Sequence, residues 1–191
     1  MKKQICFLGY SKKKTRIIKL LEKKNFIVKK LHNRCLSKKN AIKSDLIISF
    51  GYKKILKKEI IKLTKRPIIN LHISYLPFNR GAYPNFWSFY DNTPKGVSIH
   101  EIDDKIDQGN LIFRKKVKFK NIKKQTFQST YNILFAEIEN LFQKKLKKII
   151  NKDYSTIKIS SKGTYHYKKE LPKFLKSWNT NIVKFLKDYK K

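Results

Sequence analysis

The sequence predicts an α/β protein organised on a parallel sheet. Short apolar runs of strand length, Ile5 to Gly9, Phe26 to Leu31 and Asp45 to Phe50, are joined at the start by a helical pattern over Thr15 to Lys24. Strand, helix, strand is the order that parallel pairing requires. A longer stretch, Thr126 to Ile150, carries Phe127, Tyr131, Leu134, Phe135, Ile138, Leu141, Phe142, Leu146 and Ile149 at helical spacing. It reads as a long amphipathic helix whose Lys144-Lys145 and Lys147-Lys148 pairs form its solvated face.

The first helix turns Ile17, Ile18, Leu20 and Leu21 toward the core. Before it, Gly9 to Thr15 invites a test as a phosphate cradle. With one glycine and no close-approach pattern, it reads instead as a strand-to-helix turn capped by Thr or Ser. After the strand at Asp45 to Phe50 comes Gly51-Tyr52-Lys53-Lys54-Ile55-Leu56 and a helix through about Leu63. Pro84 at a first helical position starts a short helix through Tyr90. Its Phe86, Trp87, Phe89 and Tyr90 are expected to bury against the sheet. Leu111 to Phe119 reads as a strand near the sheet edge, and Thr156 to Ser160 as one more strand in the tail.

Chemistry concentrates between Asn70 and Asp107. Pro67 to His72 is a short buried strand, and strand alternation puts Asn70 and His72 on one face with Ile69, Leu71 and Ile73 on the other. Ser74 to Pro77 turns the chain out of the sheet, so this polar pair sits at a strand's C-terminal end, where ligands bind in open α/β sheets. Val97 to Ile102 repeats the logic, with Ser98 and His100 on one face, and runs into the acidic loop Asp103 to Gly109. A carboxylate beside an imidazole favours the charged imidazolium, a role open to Asp107 toward His72. Arg80, in an irregular segment nearby, suits a carboxylate or phosphate of a ligand.

The chain has 191 residues, enough for one domain with a sizeable core, and 47 Lys+Arg against 13 Asp+Glu give a net charge of +34. Such a charge suggests nucleic acid or an anionic membrane surface. Its distribution argues against both. Between Lys65 and Phe113 the basic residues Lys65, Arg66, Arg80, Lys95 and Lys105 are balanced by Asp91, Glu101, Asp103, Asp104 and Asp107, so the excess lies on the flanks. Lysine far outnumbers arginine and no aromatic or Arg-rich recognition element stands out, so we attribute the charge to compositional bias. The field would still draw in anionic ligands. Cys6 and Cys35 make no disulfide or metal framework, and Cys6 is expected in the core. No signal peptide or membrane span is evident, which predicts a cytoplasmic protein.

The pattern N-x-H-x-S-x-L-P over Asn70 to Pro77, G-V-S-x-H over Gly96 to His100, and Asp107-Gln108-Gly109 seven residues on resembles the catalytic domain of 10-formyltetrahydrofolate-dependent formyltransferases. The resemblance covers about residues 45 to 120 well. It implies a Rossmann-like open, mostly parallel sheet with helices on both faces. Residues 1–150 would form the catalytic domain and 151–191 a short extension packed on it. It further implies 10-formyltetrahydrofolate as cosubstrate and transfer of its formyl group to a primary amine. Asn70 and protonated His72 would donate to the developing oxyanion, and Asp107 would orient His72 and keep it charged. Tyr52, Lys54, Ile55, Leu56 and Asp104 become candidate cofactor contacts, and Arg80 and His100 candidate substrate contacts, with His100 also fit to support Asp107. No metal is needed.

The tail, with Gly163 to Tyr167 and Trp178 to Thr180, and the segment Arg80 to Asn85 resemble the amino-sugar branch, making a nucleotide sugar the expected amine. His166 and Trp178 are expected chiefly to anchor the tail. Glycinamide ribonucleotide is the alternative, although the glycine-rich loop of those enzymes is lacking after Gly9. A non-catalytic basic RNA-binding module is the second alternative. A homodimer is allowed without an identifiable interface.

Overall fold

The computed structural model describes residues 2–159 and 162–189. Its strands are β1 (Gln4–Gly9), β2 (Ile27–Leu31), β3 (Leu46–Phe50), β4 (Ile69–His72), β5 (Arg80–Gly81), β6 (Gly96–Glu101), β7 (Leu111–Lys116) and β8 (Tyr165–His166). Six of them form one sheet in the order β2-β1-β3-β4-β6-β7. The first four run parallel, whereas β6 joins β4 antiparallel and β7 joins β6 antiparallel. The remaining strands, β5 and β8, pair parallel with each other.

Helices α1 (Ile17–Lys23), α2 (Lys38–Lys43), α3 (Lys58–Lys62), α4 (Pro84–Tyr90), α5 (Phe127–Asn151) and α6 (Ile182–Tyr189) complete the fold. Alternation along the strands divides the core between two faces. Ile5, Phe7, Ile48, Phe50, Ile69 and Leu71 pack with Ile17, Ile18 and Leu21 of α1 and Leu134, Ile138 and Phe142 of α5. Their neighbours Cys6, Leu8 and Ile47 pack on the other side with Ala41 of α2 and Ile60 and Ile61 of α3. A third cluster joins Phe86, Trp87 and Phe89 of α4 to Phe127 and to Ile182 and Phe185 of α6. Cys6 is buried and free, as its apolar setting predicts, and burial pushes its thiol up to about 11.

The long helix is closed at both ends. Thr126 Oγ1 accepts from Ser129 N at 3.0 Å while Ser129 Oγ accepts from Thr126 N at 2.9 Å, a reciprocal capping box. At the other end Arg66 donates to the last-turn carbonyls of Ile149 (2.7 Å) and Ile150 (3.0 Å), the first of which also accepts from Lys152 N at 3.2 Å. The turn before α1 differs from the expected simple cap. Arg16 occupies the cap position without a side-chain capping bond, and Thr15 Oγ1, which also accepts weakly from Ile17 N, donates instead to Glu139 of α5. Glu139 accepts from Arg16 N at 2.9 Å as well and pairs with Arg16 Nε at 3.0 Å, fixing α1 to α5 across the sheet edge.

Three further differences have local causes. β7 ends at Lys116 rather than Phe119 because its partner β6 begins at Gly96, and Val117 N makes one last bond in the same register, to Lys95 O at 2.9 Å. Of the tail strand expected from Thr156, Ile157 forms an isolated antiparallel bridge to Leu111, and Ser160 lies outside the described residues. Helices α2 and α6 and the β5–β8 pair were not anticipated, being short and set in lysine-rich or turn-like sequence.

Glu139→Ala is expected to lower the unfolding free energy by about 1–3 kcal/mol, the cost of stranding its buried donors, discounted because Arg16 is half exposed. The urea midpoint at constant slope checks it.

Candidate functional site

The antiparallel step from β4 to β6 assembles the site. Its register sets Asn70 opposite His100 and His72 opposite Ser98. Cross-strand partners share a face. Asn70 Nδ2 therefore lies 3.0 Å from His100 Nε2. His100 Nδ1 is 2.7 Å from the Glu101 carbonyl, an acceptor only, so Nδ1 carries the hydrogen and Nε2 accepts from the Asn70 amide.

The loop after β6 brings in the carboxylate. Asp107, in the left-handed conformation at φ +52°, accepts from Asn70 Nδ2 at 3.3 Å through Oδ1 and from Gly81 N at 2.9 Å through Oδ2. Left-handed backbone is tolerated by Asp better than by most residues. Gly81 has φ +85°, and a Cβ there would stand 2.4 Å from the His166 carbonyl oxygen, so only glycine lets the β5–β8 pair close this tightly. His72 Nδ1 lies 3.7 Å from Asp107 Oδ2, and Nε2 lies 3.3 Å from the Asn79 carbonyl oxygen.

The electrostatics differ from the expectation for His72 in one respect. Burial pushes its pKa down and outweighs the upward pull of Asp107, with His100 adding to the lowering, so the resting imidazole is neutral rather than held charged. For Asp107, burial by itself raises the carboxyl, but the two imidazoles and the Gly81 N–H outweigh it and hold the group below the usual carboxylate range.

These groups open onto a cleft of about 840 Å³ that crosses the carboxyl ends of β1, β3 and β4. Asn70, His72 and Asp107 lie on its wall beside Phe50, Leu71 and Tyr131. Of the residues expected near a cofactor, Tyr52 lines the cleft, and its hydroxyl also accepts from Leu36 N and donates to Arg34 O, both at 3.1 Å. Lys54, Ile55, Leu56 and Asp104 are not among the lining residues. Ile55 is 88% exposed, Leu56 packs under the sheet near Cys6, and Asp104 pairs with Lys58 at the surface. The chain leaves the wall after Lys53, which lines the cleft beside Tyr52.

Neither expected substrate contact lines the cleft. His100 is 1% exposed and sits behind Asn70 and Asp107, and Arg80 is buried with Nε reaching the Thr164 carbonyl. The walls are instead supplied by residues that strand alternation could not single out. Tyr10 and Tyr131 share a hydroxyl–hydroxyl bond of 2.9 Å, and Tyr83 packs against Trp178. His166 stacks on Trp87 with ring centres 3.9 Å apart and binds Asp91 at 2.7 Å. His166 and Trp178 thus both tie down the tail and line the cleft. Among the described residues no cluster of His, Cys, Asp or Glu could hold a metal ion, and no helix is long and apolar enough to cross a membrane.

An amide, a neutral imidazole and a carboxylate meeting beside a cleft at the carboxyl edge of a mostly parallel sheet describe an α/β domain equipped to bind a ligand and move a proton. The chain belongs to the formyl transferase family, whose sequence model matches residues 1–144. It is similar to the formyltransferase PseJ of Anoxybacillus kamchatkensis, solved in complex with UDP-4,6-dideoxy-4-formamido-L-AltNAc and tetrahydrofolate. That likeness has a TM-score of 0.85 and 37% identity over 95% of this chain and 96% of that one. An N-formyltransferase of Helicobacter canadensis, solved with folinic acid and dTDP-3-aminofucose, shares the fold at a TM-score of 0.78 and 22% identity, covering 90% of this chain and 73% of that one. The bifunctional polymyxin resistance protein ArnA of Wigglesworthia glossinidia brevipalpis is 32% identical over 140 residues, 72% of this chain and 21% of that protein. The chain spans less than half the length of such curated relatives.

The pH dependence of stability follows from the two shifts. His72 is depressed below its ordinary 6.5, so the unfolded chain binds more protons as pH falls below that value, and stability declines with pH from there. Asp107 has the same sign, its contribution being complete above 3.8 and lost as pH falls through the folded value. Urea midpoints should be flat above neutrality and begin to drop as pH falls below 6.5, and His72→Gln should remove that upper portion of the fall.

Proposed function

We propose that this chain transfers the formyl group of 10-formyltetrahydrofolate to the primary amine of a nucleotide-linked amino sugar. The observation that carries the reading is the likeness to PseJ over nearly the whole of both chains, in a relative whose structure holds a formamido-sugar nucleotide together with tetrahydrofolate. The cleft supports it. Its volume of about 840 Å³ lies toward the upper end of the roughly 300–1,000 Å³ that pockets for ligands of drug size span. Flat apolar walls from Phe50, Leu71 and Tyr52 suit a fused ring, and the exposed lysines of the rim suit phosphates.

When bound, the folate supplies the activated formyl carbon. The protein's part is to orient the amine and place protons. His72, neutral at rest, accepts a proton from the attacking amine at Nδ1, and Asp107, 3.7 Å from that atom, stabilises the imidazolium that results. Asn70 holds its two N–H groups toward His100 and Asp107, and the longer of these bonds, 3.3 Å to Asp107, is the one it exchanges for the developing oxyanion. His100, although buried, keeps the Asn70 amide facing the right way. In this reading residues 1–150 carry the chemistry, the remainder is an extension of the same unit, and the setting is cytoplasmic.

Asn70→Ala is expected to lower kcat by about 10²–10³ through loss of an oxyanion donor. Asp107→Asn, which keeps an acceptor for Gly81 but removes the charge, should lower kcat while leaving KM for the folate nearly unchanged. A competition assay decides the amine. With 10-formyltetrahydrofolate and equimolar glycinamide ribonucleotide, 3-amino- and 4-amino-sugar nucleotides, we expect a formylated sugar nucleotide as the product by mass. Formylated glycinamide ribonucleotide, or salt-sensitive RNA binding without turnover, would overturn the proposal.

A further inference from the structure

We infer that Thr164, in the tail beyond the residues that match the family model, is a positioning residue for His72 and acts through Asn79. The inference rests on the proposed reaction for its kinetic consequence, but its structural core stands on the hydrogen bonds alone. Asn79 is fully buried and left-handed, at φ +55°, and its carbonyl faces His72 Nε2 at 3.3 Å. Two peptide planes meet at Asn79, and Thr164 holds both. Thr164 Oγ1 accepts from Asn79 N at 2.7 Å, which fixes the plane before it. The Thr164 carbonyl accepts from Arg80 N at 3.0 Å, which fixes the plane after it, the one that contains the Asn79 carbonyl.

The same hydroxyl donates to Asn79 Oδ1 at 3.0 Å, and Asn79 Nδ2 donates to Thr93 Oγ1 at 2.7 Å, so the side chain is held too. On the flanks, the backbone of Gly163 lies so close to Pro77 that a Cβ would stand 2.3 Å from its carbonyl oxygen, and Ala82 N donates to His166 O at 2.9 Å. The tail is thus laid along the whole Pro77 to Ala82 loop.

The consequence is chemical. A carbonyl oxygen only accepts, so its fixed direction assigns the hydrogen of the neutral imidazole to Nε2. Nδ1, the nitrogen nearer Asp107, is then the basic one. Releasing the Asn79 carbonyl frees the other tautomer, whose hydrogen on Nδ1 would point at the carboxylate and block proton uptake there. Loss of a tautomer preference set by one neutral hydrogen bond is expected to cost roughly tenfold in rate.

The test reads His72 ring ¹⁵N shifts and turnover on the full chain for wild type, Thr164→Val and Thr164→Ser. We expect the Nε2–H tautomer in the wild type and a mixture in Thr164→Val, which keeps the Thr164 carbonyl but removes both hydroxyl bonds that hold Asn79 in its left-handed conformation and so lets the residue and its carbonyl turn. That variant should also show a kcat roughly tenfold lower, KM for the folate nearly unchanged and a displaced acid limb of the pH–rate profile. Thr164→Ser should restore all of these. If Thr164→Val does not fold, Thr164→Ala carries the same measurements. A pure Nε2–H tautomer in the valine or alanine variant, or a loss of rate that serine fails to restore, would overturn the inference. The ring spectrum is taken without substrates, so a protein that transfers no formyl group would defeat the proposed function and still decide this point.

Discussion

A buried carboxylate needs donors, and the way Asp107 obtains them shapes much of this molecule. Moving an ionised carboxyl out of water without compensation costs several kcal/mol. Here the compensation comes from the Gly81 main chain at 2.9 Å and the Asn70 amide at 3.3 Å, with two imidazoles beside it. Gly81 can offer its N–H only because it lacks a Cβ and because β8 holds β5 in place. The glycine of β5, a two-residue strand in the tail and the acidic loop after β6 are therefore one device, although 85 residues separate Gly81 from its partner His166, a span whose closure entropy grows only slowly with length.

Burial decides the charge state as much as proximity does. A carboxylate 3.7 Å from an imidazole would favour the imidazolium in an open site, yet His72 is enclosed and the desolvation penalty prevails. A neutral ring next to an ionised acid is the arrangement that can gain a proton during a reaction, whereas an imidazolium at rest could only lose one. The charge of +34 does not alter this balance, because it sits on lysine-rich flanks whose field is screened over about 8–10 Å at ordinary ionic strength. Its influence is on encounter with anionic ligands.

Strand alternation made Asn70, His72 and His100 legible in the sequence, since period two assigns faces without knowledge of the fold. The parallel sheet, the Pro84 helix and the long helix from Thr126 followed from apolar spacing in the same way. What alternation cannot supply is register, and only register sets Asn70 opposite His100 and leaves that histidine buried behind the amide. The segment Lys54 to Leu56 lies off the cleft wall for a related reason: a loop after a strand has no period, so nothing in it says that Lys53 lines the cleft while Ile55 faces water. Arg80 read as a ligand contact because a basic group in an irregular segment is usually solvated, whereas the tail folds over it. The aromatic walls at Tyr10, Tyr83 and Tyr131 gave no signal, as tyrosines at strand ends and on helices are ordinary core-edge residues.

The reversal of strand direction at β4 explains why the site is where it is. The connections from β2 to β3 and from β3 to β4 carry helices α2 and α3 across one face of the sheet, and Cys6, Leu8 and Ile47 are covered by them. β6 is antiparallel, so it leaves β4 at the opposite end and needs no crossover helix on that side. The face that carries Asn70 and His72 is therefore open to the loop following Glu101, where Ile102 N bonds back to Ile68 O before the chain reaches Asp107. A parallel neighbour would have brought a helix over these side chains and buried them in apolar contact. The antiparallel step instead admits a short polar loop, and with it the acid, onto a strand already anchored by the α5 side of the core.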